Sequence, residues 1–206
     1  DVYCEKPVSI TVDEGRRLAD VVRRRQKVFQ TGTQYRSIPT IRAICQFIRN
    51  GGLGKIKSVY TLLTPLRGQF DSARFKPYRH LIDAELSGRS YAPLDLPLPA
   101  EPVPDGLDWD FWVGPAPWQP FNHLYHTNPS PGVVPWSFSS SFGATATTWY
   151  LSHAADVIQY ALGMERTGPV EVVHPNSNRF PTFTMRYENG TLLHFVDNWN
   201  MVKDLY

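Results

Sequence analysis

Cysteine is scarce in this chain: Cys4 and Cys45 are the only two among 206 residues. Each falls in an apolar run, which reads as a pair of buried free thiols rather than a disulfide, and no cysteine cluster exists to hold a metal. Long apolar runs are missing as well. No stretch approaches the ~20 residues a membrane-spanning helix requires, so no membrane partner is expected. Charge of one sign is also lacking. The formal net charge is +2, with Lys and Arg scattered instead of gathered into a block, so nucleic acid is not expected as a partner either. No G-x-G-x-x-G follows a strand-like run, and no serine elbow occurs. Gly51-Gly-Leu-Gly-Lys55 follows a helical pattern and precedes a strand-like one, the reverse of the phosphate-cradling order. There is no initiating Met and no signal peptide, and the β-prone start suggests a piece of a longer protein. The expected compartment is the cytoplasm, with the periplasm as the alternative.

What is abundant is proline and aromatic residue. The 18 prolines and 13% aromatics concentrate between Pro65 and Trp136, which predicts a long shaped loop region there. With 42% hydrophobic and 19% charged residues, the chain has the composition of a globular protein and enough length to bury a core.

Asp1–Pro7 and Lys27–Ser37 are β-prone runs flanking an amphipathic helix. Thr11-Val-Asp-Glu14 is a capping box, and Leu18, Val21 and Val22 share one helical face. A second helix is predicted over Pro39–Arg49, with Ile41, Ile44, Cys45 and Ile48 at helical spacing and Asn50-Gly51-Gly52 as its stop. Lys55–Thr64 reads as a strand with Ile56, Val59 and Leu62 toward the core. Pro65–Pro104 reads as an irregular excursion. Phe142–Leu162 reads as a third helix ended by Gly163. Val170–His174, Thr182–Tyr187 and Thr191–Asn198 read as strands, the last two joined by Glu188-Asn189-Gly190. Asn189-Gly-Thr191 fits a glycosylation sequon, but a hairpin turn is the preferred reading. The fold class is therefore α+β (mixed α/β), with a terminal βαβ remnant leading into an α+β domain whose sheet is largely antiparallel.

Taken in order, five segments resemble the glucose–fructose oxidoreductase, inositol dehydrogenase and rhizopine-catabolism (Gfo/Idh/MocA) family. They are Glu5-Lys6-Pro7, Gly32-Thr-Gln-Tyr-Arg-Ser37, Asn50–Lys55, Leu107–Trp118, and His153-Ala-Ala-Asp156 with Ala161-Leu-Gly163. The resemblance covers nearly the whole chain but only the middle of a typical member. It implies that residues 1–36 are the remnant of a nucleotide-binding domain and 37–206 a C-terminally short substrate and oligomerisation domain. It also implies NAD or NADP as cofactor (absent if the chain is complete as given), a carbohydrate or polyol substrate, and a homo-oligomer formed through the sheet.

Lys6 stands after a predicted strand, where open α/β sheets place ligands. In the family this Lys supports proton transfer from the hydroxyl being oxidised; burial would lower its pKa and suit it to that task. The bland reading is a solvated Lys before a proline. His153 matches the family's acid/base histidine and Asp156 its following carboxylate. However, Trp149 and Leu151 stand where members carry Asp and Gly, which removes a group that would orient the imidazole. The bland reading is a packed helix histidine. The Trp- and Pro-rich stretch Asp108–Trp118 reads as an aromatic wall for a sugar or, equally, as a hydrophobic plug. His123 and His126, spaced i, i+3, could meet a metal or a substrate hydroxyl, and without an accompanying carboxylate–His–Cys cluster the hydroxyl is the preferred reading. The candidate set is then Lys6 and His153 as catalytic residues. Glu5, Lys6 and Pro7 would lie at the cofactor, with Arg36, Trp118, His123, His126 and Asp156 around the substrate.

Three functions fit these residues. The leading expectation is an NAD(P)-dependent oxidoreductase acting on a sugar, polyol or glycoside hydroxyl. The second is a glycoside hydrolase that oxidises transiently, eliminates and re-reduces. The third is a cofactor-independent carbohydrate-binding or carbohydrate-active domain, because the first βαβ turn that supplies a pyrophosphate site is not in the sequence.

Overall fold

The computed structural model describes residues 1–62, 80, 95, 97–126, 136, 139–143, 146–196 and 199–205. Most of the predicted excursion from Pro65, and the side chains of His126 and Trp149, lie outside the described residues. The described chain divides into two compact units. One comprises Asp1–Lys6, Phe29–Thr64 and Tyr150–Tyr206; the other comprises Pro7–Val28 and Pro65–Trp149. The expected boundary between residues 36 and 37 concerns which segment would hold a cofactor and is a separate matter.

In the first unit, β1 (Val2–Glu5) pairs in parallel with β2 (Phe29–Gly32), Glu5 lying opposite Gly32. The second β-prone run was expected to extend to Ser37, but β1 offers only four residues to pair with. The backbone therefore turns at Thr33, whose N–H donates to the Thr31 carbonyl at 2.8 Å, and Gln34–Ser37 form a 3₁₀ turn. Gly32 has a steric reason to be glycine: a Cβ there would sit 2.6 Å from the Glu5 carboxylate.

Helix α2 covers Pro39–Arg49 as expected, with Pro39 in its first turn, where a missing N–H costs nothing. Gly51 at φ +83° and the Gly52 N–H donating to the Phe47 carbonyl close it with a Schellman-type stop. Cys45 is buried beneath it, but Ile44 is 59% exposed. Cys4 is only half-buried, on a strand with a single partner.

A four-stranded mixed sheet follows in the order β3 (Ser58–Leu62), β6 (Leu192–Val196), β5 (Phe183–Arg186), β4 (Glu171–Val173). The β6–β5 and β5–β4 pairings are antiparallel and β3–β6 is parallel. Strand β6 has neighbours on both edges, so Leu193, His194, Phe195 and Val196 are all buried. On edge strand β3 the expected core residue Leu62 is 39% exposed. The β5–β6 turn forms at the Asn-Gly pair: Gly190 takes φ +87°, and the Asn189 side-chain oxygen accepts the Thr191 N–H at 2.9 Å.

In the second unit, α1 (Val12–Arg24) carries both halves of its capping box. The Thr11 hydroxyl accepts the Glu14 N–H, and the Glu14 carboxylate accepts from Thr11 and Ile10. Such a cap stabilises by about 1 kcal/mol. The half-buried face is Gly15, Leu18 and Val22; Val21 instead is 45% exposed. Short helix α3 (Trp109–Val113) starts at Asp108, whose carboxylate accepts the Phe111 N–H. Trp109, Val113, Phe121 and Tyr125 form a core with Trp112 and Phe142 packed against it. Helix α4 spans His123–His126. Phe142 does not begin the third helix, because Asp95 accepts hydrogen bonds from the Ser139 hydroxyl and the Ser140 N–H, fixing a turn that delivers Phe142 to this aromatic core. Helix α5 starts at Ala146 and runs to Ala161; Gly163 at φ +71° follows it.

Candidate active site

Lys6 follows the carboxyl end of β1 and is buried to 8% exposure. Loss of hydration disfavours its ammonium and lowers its pKa, an effect the neighbouring Glu5 charge opposes. Glu5 ends the strand and Pro7 is half-buried.

His153 lies on α5, and its ring stacks on Tyr35 at 4.3 Å between centroids with 14° between planes. Its Nδ1 is buried without a hydrogen-bond partner among the described residues. Burial lowers the imidazole pKa, the Lys6 charge lowers it further, and Asp156 and Glu5 act in the opposite direction. The Lys6 charge thus reaches the His153 ring.

The next residue of the 3₁₀ turn grips the same helix. Arg36 donates from Nε to Asp156 Oδ2 at 2.7 Å and from Nη2 to Oδ1 at 2.5 Å, a two-point clasp that raises its pKa. Positions 153, 156 and 160 share one helical face. The Arg36 and Arg49 guanidiniums lie 5.1 and 5.0 Å from the Tyr160 ring centroid, and Arg49 also binds the Tyr160 carbonyl and Glu165. Adjacent residues of one turn, Tyr35 and Arg36, therefore hold His153 and Asp156. Asp156 is committed to Arg36 through both of its oxygens.

Tyr35 and His153 also line a groove of about 750 Å³ whose other walls are mostly aliphatic, among them Ile41, Ile48, Ile56, Val157 and Ile158. Cys45 lies in the same wall, its thiol pKa raised by burial.

The remaining candidates lie in the second unit. Trp118 is 65% exposed, its indole N–H donating to Asp110 at 2.9 Å. The buried aromatic plug is built by Trp109 and Trp112, stacked at 4.7 Å. His123 is exposed and tied to Glu101, which accepts its backbone N–H at 2.9 Å and lies 2.8 Å from its Nδ1; that backbone bond, more than the ring, lowers the Glu101 pKa. The side chain of His126 lies outside the described residues. Among the described residues no group of three or more His, Cys, Asp or Glu is placed to hold a metal, and no helix is long and apolar enough to cross a membrane.

A family model described as the C-terminal alpha/beta domain of the GFO_IDH_MocA oxidoreductase family matches residues 94–194, a span that includes His153, Asp156, strands β4 and β5 and the start of β6. That segment belongs to the Gfo/Idh/MocA oxidoreductase family. No curated protein sequence matches it. Among solved structures it is similar to a myo-inositol 2-dehydrogenase from Lactobacillus plantarum, at 15% identity and a TM-score of 0.41, over 95% of this chain and 42% of that one. The chain therefore spans less than half the length of that enzyme.

Reasoning from sequence missed Tyr35. The available signal was its place beside Arg36 in the motif Gly32–Ser37. It also missed the sheet histidine His194, whose Nδ1 lies 2.9 Å from the Thr184 hydroxyl and whose ring stacks on Tyr60.

Proposed function

We propose that this chain contributes the hydroxyl-handling half of an NAD(P)-dependent oxidoreductase that acts on a sugar or glycoside carbinol. The observation that carries this reading is the buried Lys6 at the end of a parallel strand, in electrostatic contact with the tyrosine-stacked His153. The described residues fit the nicotinamide end of the cofactor. Glu5 and Lys6 stand at the carboxyl edge of a parallel pair, the edge at which open α/β sheets take ligands. A bound nicotinamide supplies the hydride acceptor. The work of the chain is the proton: desolvation shifts Lys6 toward its neutral amine, the form that accepts the carbinol proton, while the His153 ring faces the same hydroxyl. Arg36 and Asp156 keep the helix that carries His153 in place. In this reading residues 1–36 belong with the cofactor and 37–206 with the substrate.

The aliphatic groove beside His153 favours a glycoside over a free polyol. A bare polyol would leave hydroxyls unbonded against Ile41, Ile48 and Val157, whereas an alkyl or aryl substituent gains about 0.8 kcal/mol per buried methylene. The same groove is compatible with the oxidation–elimination glycosidase reading. Turnover of aryl glucosides with NAD, followed at once by NADH absorbance and by aglycone release, separates the two. Stoichiometric NADH supports the dehydrogenase, aglycone without net NADH supports the hydrolase, and neither signal with the full-length protein overturns the proposal.

A further inference from the structure

The Nδ1 atom of His153 is buried and has no hydrogen-bond partner among the described residues, although three charged groups act on the ring. Of these, Lys6 repels an added proton, and Glu5 and Asp156 attract one. Asp156 is the carboxylate on His153's own helix, and both of its oxygens accept from Arg36. Glu5 lies over Gly32 at the strand end. Neither is hydrogen-bonded to Nδ1, and the ring is held in this orientation by its stack on Tyr35.

A proton on Nδ1 would therefore be a buried donor with no acceptor, in the field of a cation. An unmade bond to a buried donor is costly, and more so when the group is charged. The imidazolium needs protons on both nitrogens, so it carries this penalty in full. A bare Nδ1 keeps the proton on Nε2, the tautomer that free histidine side chains already favour.

We infer that His153 is held as a neutral imidazole with its proton on Nε2, so that it offers the substrate oxygen a hydrogen-bond donor rather than a base, and that Tyr35 is the positioning residue that enforces this. The tautomer stands independently of the proposed reaction; the donor role rests on it. The oxygen that loses its proton to the Lys6 amine is then steadied as negative charge develops, with no proton leaving His153.

The full chain labelled with ¹⁵N-histidine tests this by long-range ¹⁵N–¹H correlation, with His153→Gln identifying the resonance. The expected result at neutral pH is Nδ1 at the bare, pyridine-type position and Nε2 at the protonated, pyrrole-type position. Protonated Nδ1, in either the other tautomer or the imidazolium, overturns the inference. Tyr35→Leu admits water to Nδ1 and should raise the His153 titration midpoint by about one pH unit, a tenfold change in proton affinity. Tyr35→Phe keeps the stack and should leave the midpoint unchanged; a rise in Tyr35→Phe equal to that in Tyr35→Leu also overturns it. A sealed Nε2–H imidazole in a protein that oxidises no glycoside would remove the reaction and leave the tautomer standing.

Discussion

Two histidines of the first unit meet their surroundings in opposite ways. His194, on the central strand, is 2% exposed and stacks on Tyr60 at 5.1 Å; its Nδ1 lies 2.9 Å from the Thr184 hydroxyl. His153 stacks on Tyr35 at 4.3 Å, yet its Nδ1 has no partner among the described residues. Burial holds both rings toward the neutral form. Burial and stacking therefore do not separate a packing histidine from one proposed to meet a substrate. The hydrogen-bond inventory does: the Nδ1 of one ring meets a hydroxyl of its own sheet, whereas the Nδ1 of the other has no partner among the described residues and lies in the field of a buried lysine.

The comparison breaks most readily on activity. Lys6→Ala should lower kcat by about 10²–10⁴-fold, the range for loss of a positioned proton acceptor. His153→Ala should cost about 10²-fold, as for loss of one donor to a developing oxyanion. His194→Leu should leave kcat of the folded protein unchanged. Steady-state kinetics on an aryl glucoside checks all three, and a kcat loss in His194→Leu matching that of His153→Ala would erase the distinction.

Next in size is the support beneath His153. Arg36→Met leaves Asp156, 14% exposed, without its partner, which should cost about 1–3 kcal/mol, between the surface and fully buried cases. Arg36→Met/Asp156→Leu should recover most of that in urea unfolding. If the clasp positions α5, the double variant should still show the kcat loss of the single one.

Thr184→Val tests the other histidine. It strips the hydroxyl from the His194 Nδ1 inside the sheet and should destabilise by about 1–2 kcal/mol without changing kcat. Thr184→Val/His194→Leu should be less damaging than Thr184→Val, since replacing both partners leaves nothing unsatisfied.

These contrasts mark where the sequence stopped being readable. Local signals translated directly. Thr11 with Glu14 made the cap, Pro39 and Gly51 bracketed α2 to the residue, and Asn189-Gly190 made the hairpin. Each of these features is decided within about five residues of itself. The site is not local. Arg36 meets Asp156 across 120 positions, and the Thr184–His194 contact exists only because the β5–β6 register places those residues opposite each other. A one-residue slip would have put His194 on the other face. Periodicity failed in a consistent direction: it put Val21 and Ile44 on apolar helical faces and Leu62 toward the core, and all three are exposed. A period finds a face but does not say whether anything covers it. Lys6 was legible because its position after a strand is itself a local feature; its burial was not.

The smallest effect expected concerns acid stability, where His194 and Glu171 should act in separate windows. The folded-state pKa of His194 lies below its ordinary 6.5, so the unfolded chain binds the proton more readily. The stability this contributes is complete above pH 6.5 and is lost as pH falls below it. On the edge strand β4, Glu171 is clasped by Arg179 and by Arg186 at 2.7 Å, which hold its carboxyl down from 4.5 to about 2. Its contribution is present above pH 4.5 and fades as pH drops toward 2. Thermal melts from neutral pH to pH 2 should therefore fall in two steps. His194→Leu should shrink the upper step, to which the buried His153 also contributes, and Glu171→Gln should flatten the lower one. If His194→Leu leaves the upper step unchanged, burial of a neutral His194 contributes nothing to acid stability and that assignment fails.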